Sequence, residues 1–126
     1  MIAESDPITD VPVIAVRGNG PLSGTVTVPG AKNSVLKLMA ATLLTNGTFE
    51  ITNVPAIADV TIMGDLLEAI GVSIDRPSPD RLLLTDHGDL TPVAPYELVE
   101  RIRASINVLG PLLTRCGHVR MSMPGG

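Results

Sequence analysis

The chain has 126 residues, of which 44% are hydrophobic and 17% charged; this suits one globular domain and excludes a disordered polymer. Its net charge is −4 and only 2% of its residues are aromatic, so neither a broad phosphate-backbone footprint nor base stacking is supported, and no nucleic-acid partner is expected. The only cysteine, Cys116, excludes a disulfide within the chain and is expected to be a small core residue. We also predict a cytoplasmic protein without membrane contact, because the N-terminus is acidic and no apolar stretch is long enough to span a bilayer.

The N-terminal quarter is predicted to contain little packed structure. Residues 1–12 are interpreted as a flexible leader, since an Asp-Pro and a Val-Pro pair block regular structure there. Residues 13–16 form an apolar run, and residues 24–28 alternate between valine and threonine or glycine, which is typical of a half-buried strand. We predict that these two segments pair as a hairpin around the turn at residues 18–21.

Helices and strands alternate in the middle of the chain. A helix over residues 34–44 is apolar nearly all round and is predicted to be buried on most sides. Asp59 is a candidate N-cap for a helix over residues 60–70, with Gly71 as its C-terminal stop. Strands are predicted at residues 48–52, 72–75, 81–85 and 119–123, the middle two as a hairpin.

The third helical stretch, residues 96–115, is predicted to carry a second site. Its core stripe is expected to consist of Leu98, Ile102, Ile106, Leu109 and Leu113. Pro111 removes a helix hydrogen bond and should kink or break the helix near Asn107. On a continuous helix, Arg103, Asn107 and Gly110 would line one strip at the edge of the buried face.

Lys32 is predicted to lie at or near the first turn of the first helix. A cation is disfavoured there, because the free backbone N–H groups already give that end a partial positive charge. Beside Asn33, such a lysine fits an anion site in which an ammonium, helix N–H groups and an amide donor meet a phosphate or carboxylate. A solvated surface lysine is the alternative on the same residues.

Two arginines of the third helical stretch are weighed in the same way. Arg103 is either a ligand-binding residue or a boundary arginine whose stem covers apolar surface and whose guanidinium pairs with Glu100. Arg101 is interpreted as a solvated side chain bonded to Glu97. The acidic and histidine residues near the hairpin and the loop after it are assigned to turn chemistry rather than acid–base catalysis: Asp75, Asp80, Asp86, His87 and Asp89.

Three motifs resemble, in the same order, the N-terminal part of the bacterial enolpyruvyl transferases. They are GAKN (residues 30–33) with the apolar helix and ITNVP (51–55) after it, RASI with LGPL (103–112), and MPGG (123–126). The resemblance covers all but the first dozen residues. The shikimate-pathway branch of the family is the lesser match, because it usually has Ser-Lys-Ser where this chain has Ala-Lys-Asn.

The resemblance implies an α/β (α+β) fold, here a partial inside-out barrel built from βαβαββ units. Residues 1–12 would be the flexible leader, residues 13–29 a hairpin that belongs with a second domain, and residues 30–126 an incomplete first domain. A weak internal similarity, in which the order strand, Pro-Gly and helix recurs, fits such repeats. The turn residues that commonly separate strands and helices in α/β proteins explain it equally well.

The same resemblance implies a reaction. The enolpyruvyl group of phosphoenolpyruvate would move to the 3-hydroxyl of UDP-N-acetylglucosamine with release of phosphate, the first committed step of peptidoglycan synthesis, and no metal or organic cofactor would be needed. Lys32 and Asn33 correspond to the phosphoenolpyruvate side of the site, and Arg103 to the UDP-sugar side.

The chain also departs from the family pattern. The family's proton donor, a Cys or an Asp, would follow Gly126, so no catalytic residue is expected within these residues and the chain alone is expected to be inactive. Asn107 stands where many members carry an aromatic residue. The alternative hypothesis is a stand-alone binding or assembly module that self-associates through apolar faces normally covered by the second domain.

Overall fold

The structure is a computed structural model that describes residues 2–5 and 12–124. Its first two strands, β1 (Ile2–Ser5) and β2 (Pro12–Ala15), form an antiparallel pair in which Ile2 lies opposite Ala15. The predicted hairpin is therefore wrong in its pairing: β2 pairs with residues 2–5, and residues 24–28 form no strand. The predicted leader contains β1, while residues 1 and 6–11 of that leader lie outside the described residues.

A three-stranded antiparallel sheet and two long helices form the packed part of the molecule. Helix α1 (Lys32–Ala41) continues into a 3₁₀ turn (Thr42–Leu44) and is followed by β3 (Gly47–Ile51). Helix α2 (Ala58–Ile70) leads into β4 (Val72–Ser78) and β5 (Arg81–Asp86). Strand β5 lies in the middle, in the order β3-β5-β4.

The core lies between the helices and one face of the sheet. The predicted apolar face of α2 is confirmed, since Val60, Met63, Leu66, Leu67 and Ile70 are all buried. Gly71 ends α2 with a φ of 117°, a left-handed conformation that glycine adopts without a Cβ penalty. Helix α1 buries Leu36 and Met39 but leaves Leu38 54% exposed, so it is amphipathic rather than buried on most sides as predicted.

The predicted third helix is three separate elements. Helix α3 (Tyr96–Val99) is short, a 3₁₀ segment (Arg103–Val108) follows it, and α4 (Leu109–Cys116) completes the stretch. The break thus lies at residues 100–102, upstream of Pro111, which sits in the first turn of α4 where a missing N–H costs no hydrogen bond.

This interruption changes which side chains are buried. Of the predicted stripe, Ile106 and Leu113 are 42% and 50% exposed, and the residues that fill the core instead are Val99, Ser105, Val108 and Leu112. The predicted strand at residues 119–123 is reduced to a single parallel bridge between Arg120 and Val93. Cys116 packs against the core, as predicted.

Candidate functional site

The N-terminal ends of α1 and α2 meet at one side of the molecule. Lys32 lies in the first turn of α1, as predicted, and is its first residue; its Nζ lies 2.6 Å from Oδ2 of Asp59 in the first turn of α2. Asp59 is therefore not the N-cap that the sequence predicted, because Ile57 occupies that position. A carboxylate in a first turn is favourable beside the partial positive charge of the helix end, whereas the lysine at the neighbouring end is not.

Close backbone packing fixes where α1 begins. Gly30 lies so near the turn after β3 that an added Cβ would overlap the carbonyl oxygen of Asn53 and approach Pro55. Asn53 has a φ of 55°, which is uncommon for a residue with a side chain, although asparagine tolerates it better than most. The glycine of the GAKN motif thus allows the contact that places Lys32.

The opposite wall comes from the 3₁₀ segment and the residues before it. Ser105 is completely buried, and its Oγ lies 2.9 Å and 2.7 Å from the carbonyl oxygens of Val99 and Ile102. This hydroxyl bridges the gap between α3 and the 3₁₀ segment, where the regular helix hydrogen bonds are interrupted. The bridge helps to fix the backbone that carries Arg101 and Arg103.

A surface cavity of about 410 Å³ lies between these two walls. Its polar lining consists of Lys32, Asn33, Asp59, Arg101 and Arg103, and its apolar lining of Leu36, Ile102 and Ala104. Three cations and one carboxylate give the lining a formal charge of +2. Such a cavity can hold a compact anion with more than one negative charge, since charge-assisted hydrogen bonds are the stronger ones.

The structure brings the three predicted site residues together. Lys32 and Asn33 line the same cavity as Arg103, although about 70 residues separate them along the chain. Asn107 and Gly110 are not among the lining residues, because the break before the 3₁₀ segment removes the continuous strip that the sequence predicted.

Sequence reasoning missed two residues of the cavity. Arg101 was assigned to solvent and to Glu97, but it lines the cavity and its Nη1 lies 3.4 Å from Oδ2 of Asp65 on α2. Asp59 was given only a capping role. Both assignments assumed partners on the same helix, whereas both partners come from elsewhere in the fold.

The residues assigned to turn chemistry are largely where that role requires. Asp80 accepts a hydrogen bond from Ser78 at 2.7 Å, and Asp86 accepts one from the backbone N–H of Gly88 at 2.7 Å. Nε2 of His87 lies 3.4 Å from the Ser73 hydroxyl. In residues 2–5 and 12–124, no three His, Cys, Asp or Glu side chains gather as a metal site would need.

A second charged cluster, also missed, lies inside the molecule. Nη1 of Arg115 donates to Oδ2 of Asp86 and to the carbonyl oxygen of Leu43, both at 3.0 Å, and Nη2 donates to Oδ1 of Asn46. The Asp86 side chain is fully buried. Its position at the end of an alternating apolar row, after Leu82 and Leu84, was the signal that it faces inward.

Comparisons with a family model and with curated relatives both indicate carboxyvinyltransferases, which are enolpyruvyl transferases. A model of the EPSP synthase (3-phosphoshikimate 1-carboxyvinyltransferase) family matches residues 16–126. Among curated relatives, the UDP-N-acetylglucosamine 1-carboxyvinyltransferase of Jannaschia sp. (strain CCS1) is 47% identical over 114 residues, which are 90% of this chain and 27% of that protein. The protein of the same name from Anaeromyxobacter dehalogenans (strain 2CP-C) is 49% identical over 115 residues, with the same coverage of both chains.

A solved structure agrees with these relatives. The enolpyruvyl transferase NikO from Streptomyces tendae matches with a TM-score of 0.67 and 29% sequence identity, over 79% of this chain and 23% of that one. The chain therefore spans about a quarter of the length of the proteins it matches. Within the described residues, no helix is long and apolar enough to cross a membrane.

Proposed function

This chain belongs to the EPSP synthase family of enolpyruvyl transferases, and we propose that its cavity is one wall of a site that transfers the enolpyruvyl group of phosphoenolpyruvate to the 3-hydroxyl of UDP-N-acetylglucosamine. The curated relatives at 45–49% identity are named UDP-N-acetylglucosamine 1-carboxyvinyltransferase, which supports this acceptor. The reaction would serve peptidoglycan synthesis. The predicted substrates favour a cytoplasmic location, which stays a prediction.

The observation that carries the proposal is the convergence of Lys32, Asn33 and Arg103 on one positively charged cavity. Phosphoenolpyruvate is a compact multi-anion, which the Lys32 ammonium and the Asn33 amide would contact at the start of α1. Arg103, on the opposite wall, would face the UDP-sugar. A guanidinium is a suitable group there because it binds phosphate oxygens in a bidentate manner.

The chemistry assigns a limited role to these residues. A proton must be added to the methylene carbon of phosphoenolpyruvate while the sugar hydroxyl gives its own proton to a base and its oxygen bonds to the neighbouring carbon; loss of phosphate and of a methyl proton then restores the double bond. Lys32 would stabilise the charge on the phosphate. The proton donor is predicted to follow Gly126, so these residues would bind and orient substrate and would not complete turnover alone.

Ligand titration followed by amide chemical shifts tests this proposal. We expect phosphoenolpyruvate to shift the signals of Lys32 and Asn33 with a dissociation constant of about 1 mM, because the Lys32 side chain is 56% exposed and solvent screens its attraction for the anion. UDP-N-acetylglucosamine should shift Arg103, and Lys32→Ala should abolish the first response while Lys37→Ala leaves it intact. Saturable binding of neither ligand by the unaltered chain would contradict the proposal.

An assay of phosphate release tests the prediction that these residues bind substrate and that the proton donor follows Gly126. The chain should release no phosphate from phosphoenolpyruvate and UDP-N-acetylglucosamine. Turnover that Lys32→Ala abolishes would show that no group after residue 126 is required. The reading frame downstream of codon 126 gives a cheaper test, since a Cys or Asp loop followed by Arg-Pro is expected there.

A 3-phosphoshikimate acceptor is the second candidate, and the description of the matching family model favours it. Shikimate 3-phosphate and UDP-N-acetylglucosamine can be compared in the same titration. Our proposal requires the nucleotide sugar to bind more tightly. Tighter binding of shikimate 3-phosphate would assign the chain to the other branch.

A binding or assembly module is the third candidate, and exposed apolar side chains favour it. Val16, Leu22 and Val26 are 84%, 91% and 85% exposed in a segment without regular structure. Exposed apolar surface of this kind is typical of contact surfaces. Sedimentation analysis tests for self-association: a monomer at all concentrations that binds no hydrophobic dye would count against it.

A further inference from the structure

The ion pair between the two helix ends indicates a role for Asp59 that its sequence position does not. We propose that Asp59 is a positioning residue, which holds the Lys32 ammonium at the cavity so that its remaining N–H donors meet a phosphorylated ligand. The inference rests on the proposed function for the identity of that ligand, but the holding contact itself is independent of any ligand.

The two partners differ in how firmly the fold fixes them. The Lys32 side chain is 56% exposed and has four rotatable bonds, whereas the short Asp59 side chain is 26% exposed. Asp59 is also stabilised where it is, in the first turn of a 13-residue helix, while Lys32 lies at a helix end that repels it. Asp59 is therefore the fixed partner, and Lys32 is the side chain that is held.

The contact still leaves the lysine able to bind. An ammonium has three N–H donors, and Asp59 Oδ2 at 2.6 Å uses one of them. The cavity lining keeps a formal charge of +2 after the carboxylate is counted, so a multi-anion is still attracted. Holding the side chain in advance removes part of the conformational entropy that binding would otherwise cost.

The chain offers an internal reference for measuring this effect. It contains only two lysines, Lys32 and Lys37, which lie on the same helix. Lys37 is exposed, and none of the ion pairs found among the described residues involves it. With ¹³C-labelled lysine, relaxation of the two Cε positions compares the held side chain with the unheld one in a single sample.

The experiment uses the unaltered chain, Asp59→Asn, Asp59→Glu and, as a control with the same charge change, Asp75→Asn at an exposed position of β4. We expect the Lys32 Cε order parameter to exceed that of Lys37 in the unaltered chain and in Asp75→Asn. In Asp59→Asn it should fall to the Lys37 value, and Asp59→Glu should restore part of it. Amide spectra confirm that each variant is folded.

Titration with phosphoenolpyruvate supplies the second readout. Asp59→Asn should weaken binding three- to tenfold, and Asp75→Asn should leave binding within twofold of the unaltered chain. Equal mobility of the two lysines in the unaltered chain would overturn the positioning role, and so would unchanged or tighter binding by Asp59→Asn. If the unaltered chain binds no phosphoenolpyruvate, the proposed function fails, and the order parameters alone decide the role of Asp59.

Discussion

Two pairs of a cation and a carboxylate occupy opposite settings in this molecule. Arg115 and Asp86 meet where the Asp86 side chain is fully buried, and the guanidinium also donates to Leu43 and Asn46. Lys32 and Asp59 meet at the rim of a cavity, where the lysine remains 56% exposed. The first pair has its donors used by the fold, whereas the second keeps donors available, so the first stabilises the structure and the second is suited to a ligand.

Breaking the buried pair should have the largest effect. Arg115→Met would leave Asp86 buried without its counter-ion, and we expect the free energy of unfolding to fall by about 3 kcal/mol. Urea denaturation followed by circular dichroism measures the change. Arg120→Met, which alters an exposed arginine, is the control and should change stability by less than about 0.5 kcal/mol; equal losses in both variants would refute the distinction.

The second-largest effect is expected at the backbone contact between Gly30 and Asn53, which places the start of α1. Gly30→Ala would place a methyl group against the Asn53 carbonyl, and we expect a loss of about 2 kcal/mol of stability from overpacking. Binding of phosphoenolpyruvate should weaken as well, because the start of α1 must move. Gly18→Ala is the matched control, since nothing lies within 4 Å of its added Cβ; a Gly30→Ala variant as stable as Gly18→Ala would disprove the close contact.

Removing the cation of the cavity pair, Lys32, should abolish ligand binding but change the free energy of unfolding only slightly. Lys32→Ala is expected to cost less than about 1 kcal/mol, because the lysine is 56% exposed and solvent screens its attraction to Asp59. The same variant should no longer bind phosphoenolpyruvate in a titration. Lys37→Ala should change neither quantity, and a stability loss in Lys32→Ala as large as that in Arg115→Met would erase the contrast between the two pairs.

The smallest effect is expected at an exposed pair that spans α3. A hydrogen bond to Glu100 raises the pKa of Tyr96 above 10.0, with the charges of Glu100 and Glu97 adding to it. This contribution to stability is present below the unfolded pKa and is lost as the pH rises through the folded one. Tyr96 is the only tyrosine, so absorbance at 295 nm should show a lower pKa in Glu100→Gln, and Glu68→Gln should leave the midpoint unchanged.

Local patterns predicted the elements that depend on neighbouring residues. The face of α2, its Gly71 stop and the β4–β5 hairpin follow from periodicity and turn residues within short stretches, and the structure confirms them. The position of Lys32 at the start of α1 was predicted on the same basis. The family resemblance is likewise confirmed by the relatives and by the NikO structure, while the inside-out barrel stays a prediction.

Predictions failed where a tertiary contact overrides a local preference. Residues 96–115 have a helical apolar pattern, but the hydroxyl of buried Ser105 lies within hydrogen-bond distance of the carbonyl groups of both Val99 and Ile102 and can donate its proton to either, which stabilises the break between them. Residues 24–28 have a strand pattern, yet a strand exists only with a partner, and β2 pairs with Ile2–Ser5 instead. Neither partner could be identified from spacing along the chain.

The candidate site was predictable only in part for the same reason. Lys32, Asn33 and Arg103 could be selected from residue type and from the resemblance, but Asp59 and Arg101 enter the cavity through contacts between different elements. Their roles, and the assignment of residues 13–29 to a second domain, stay predictions. An ion pair across two helix ends has no signature in either helix sequence.

The strand order β3-β5-β4 has a consequence for how the cavity forms during folding. Strands β4 and β5 are joined by a tight turn and can pair early, whereas β3 must close a loop over residues 52–80 to reach β5. That closure also ties down the turn at Asn53, which lies against Gly30, because the backbone N–H of the next residue, Val54, donates to the carbonyl oxygen of Asp80 at 2.8 Å. We therefore expect the anion site to be among the last features to assemble, so that a folding intermediate with α2 and the hairpin in place would not yet recognise the ligand.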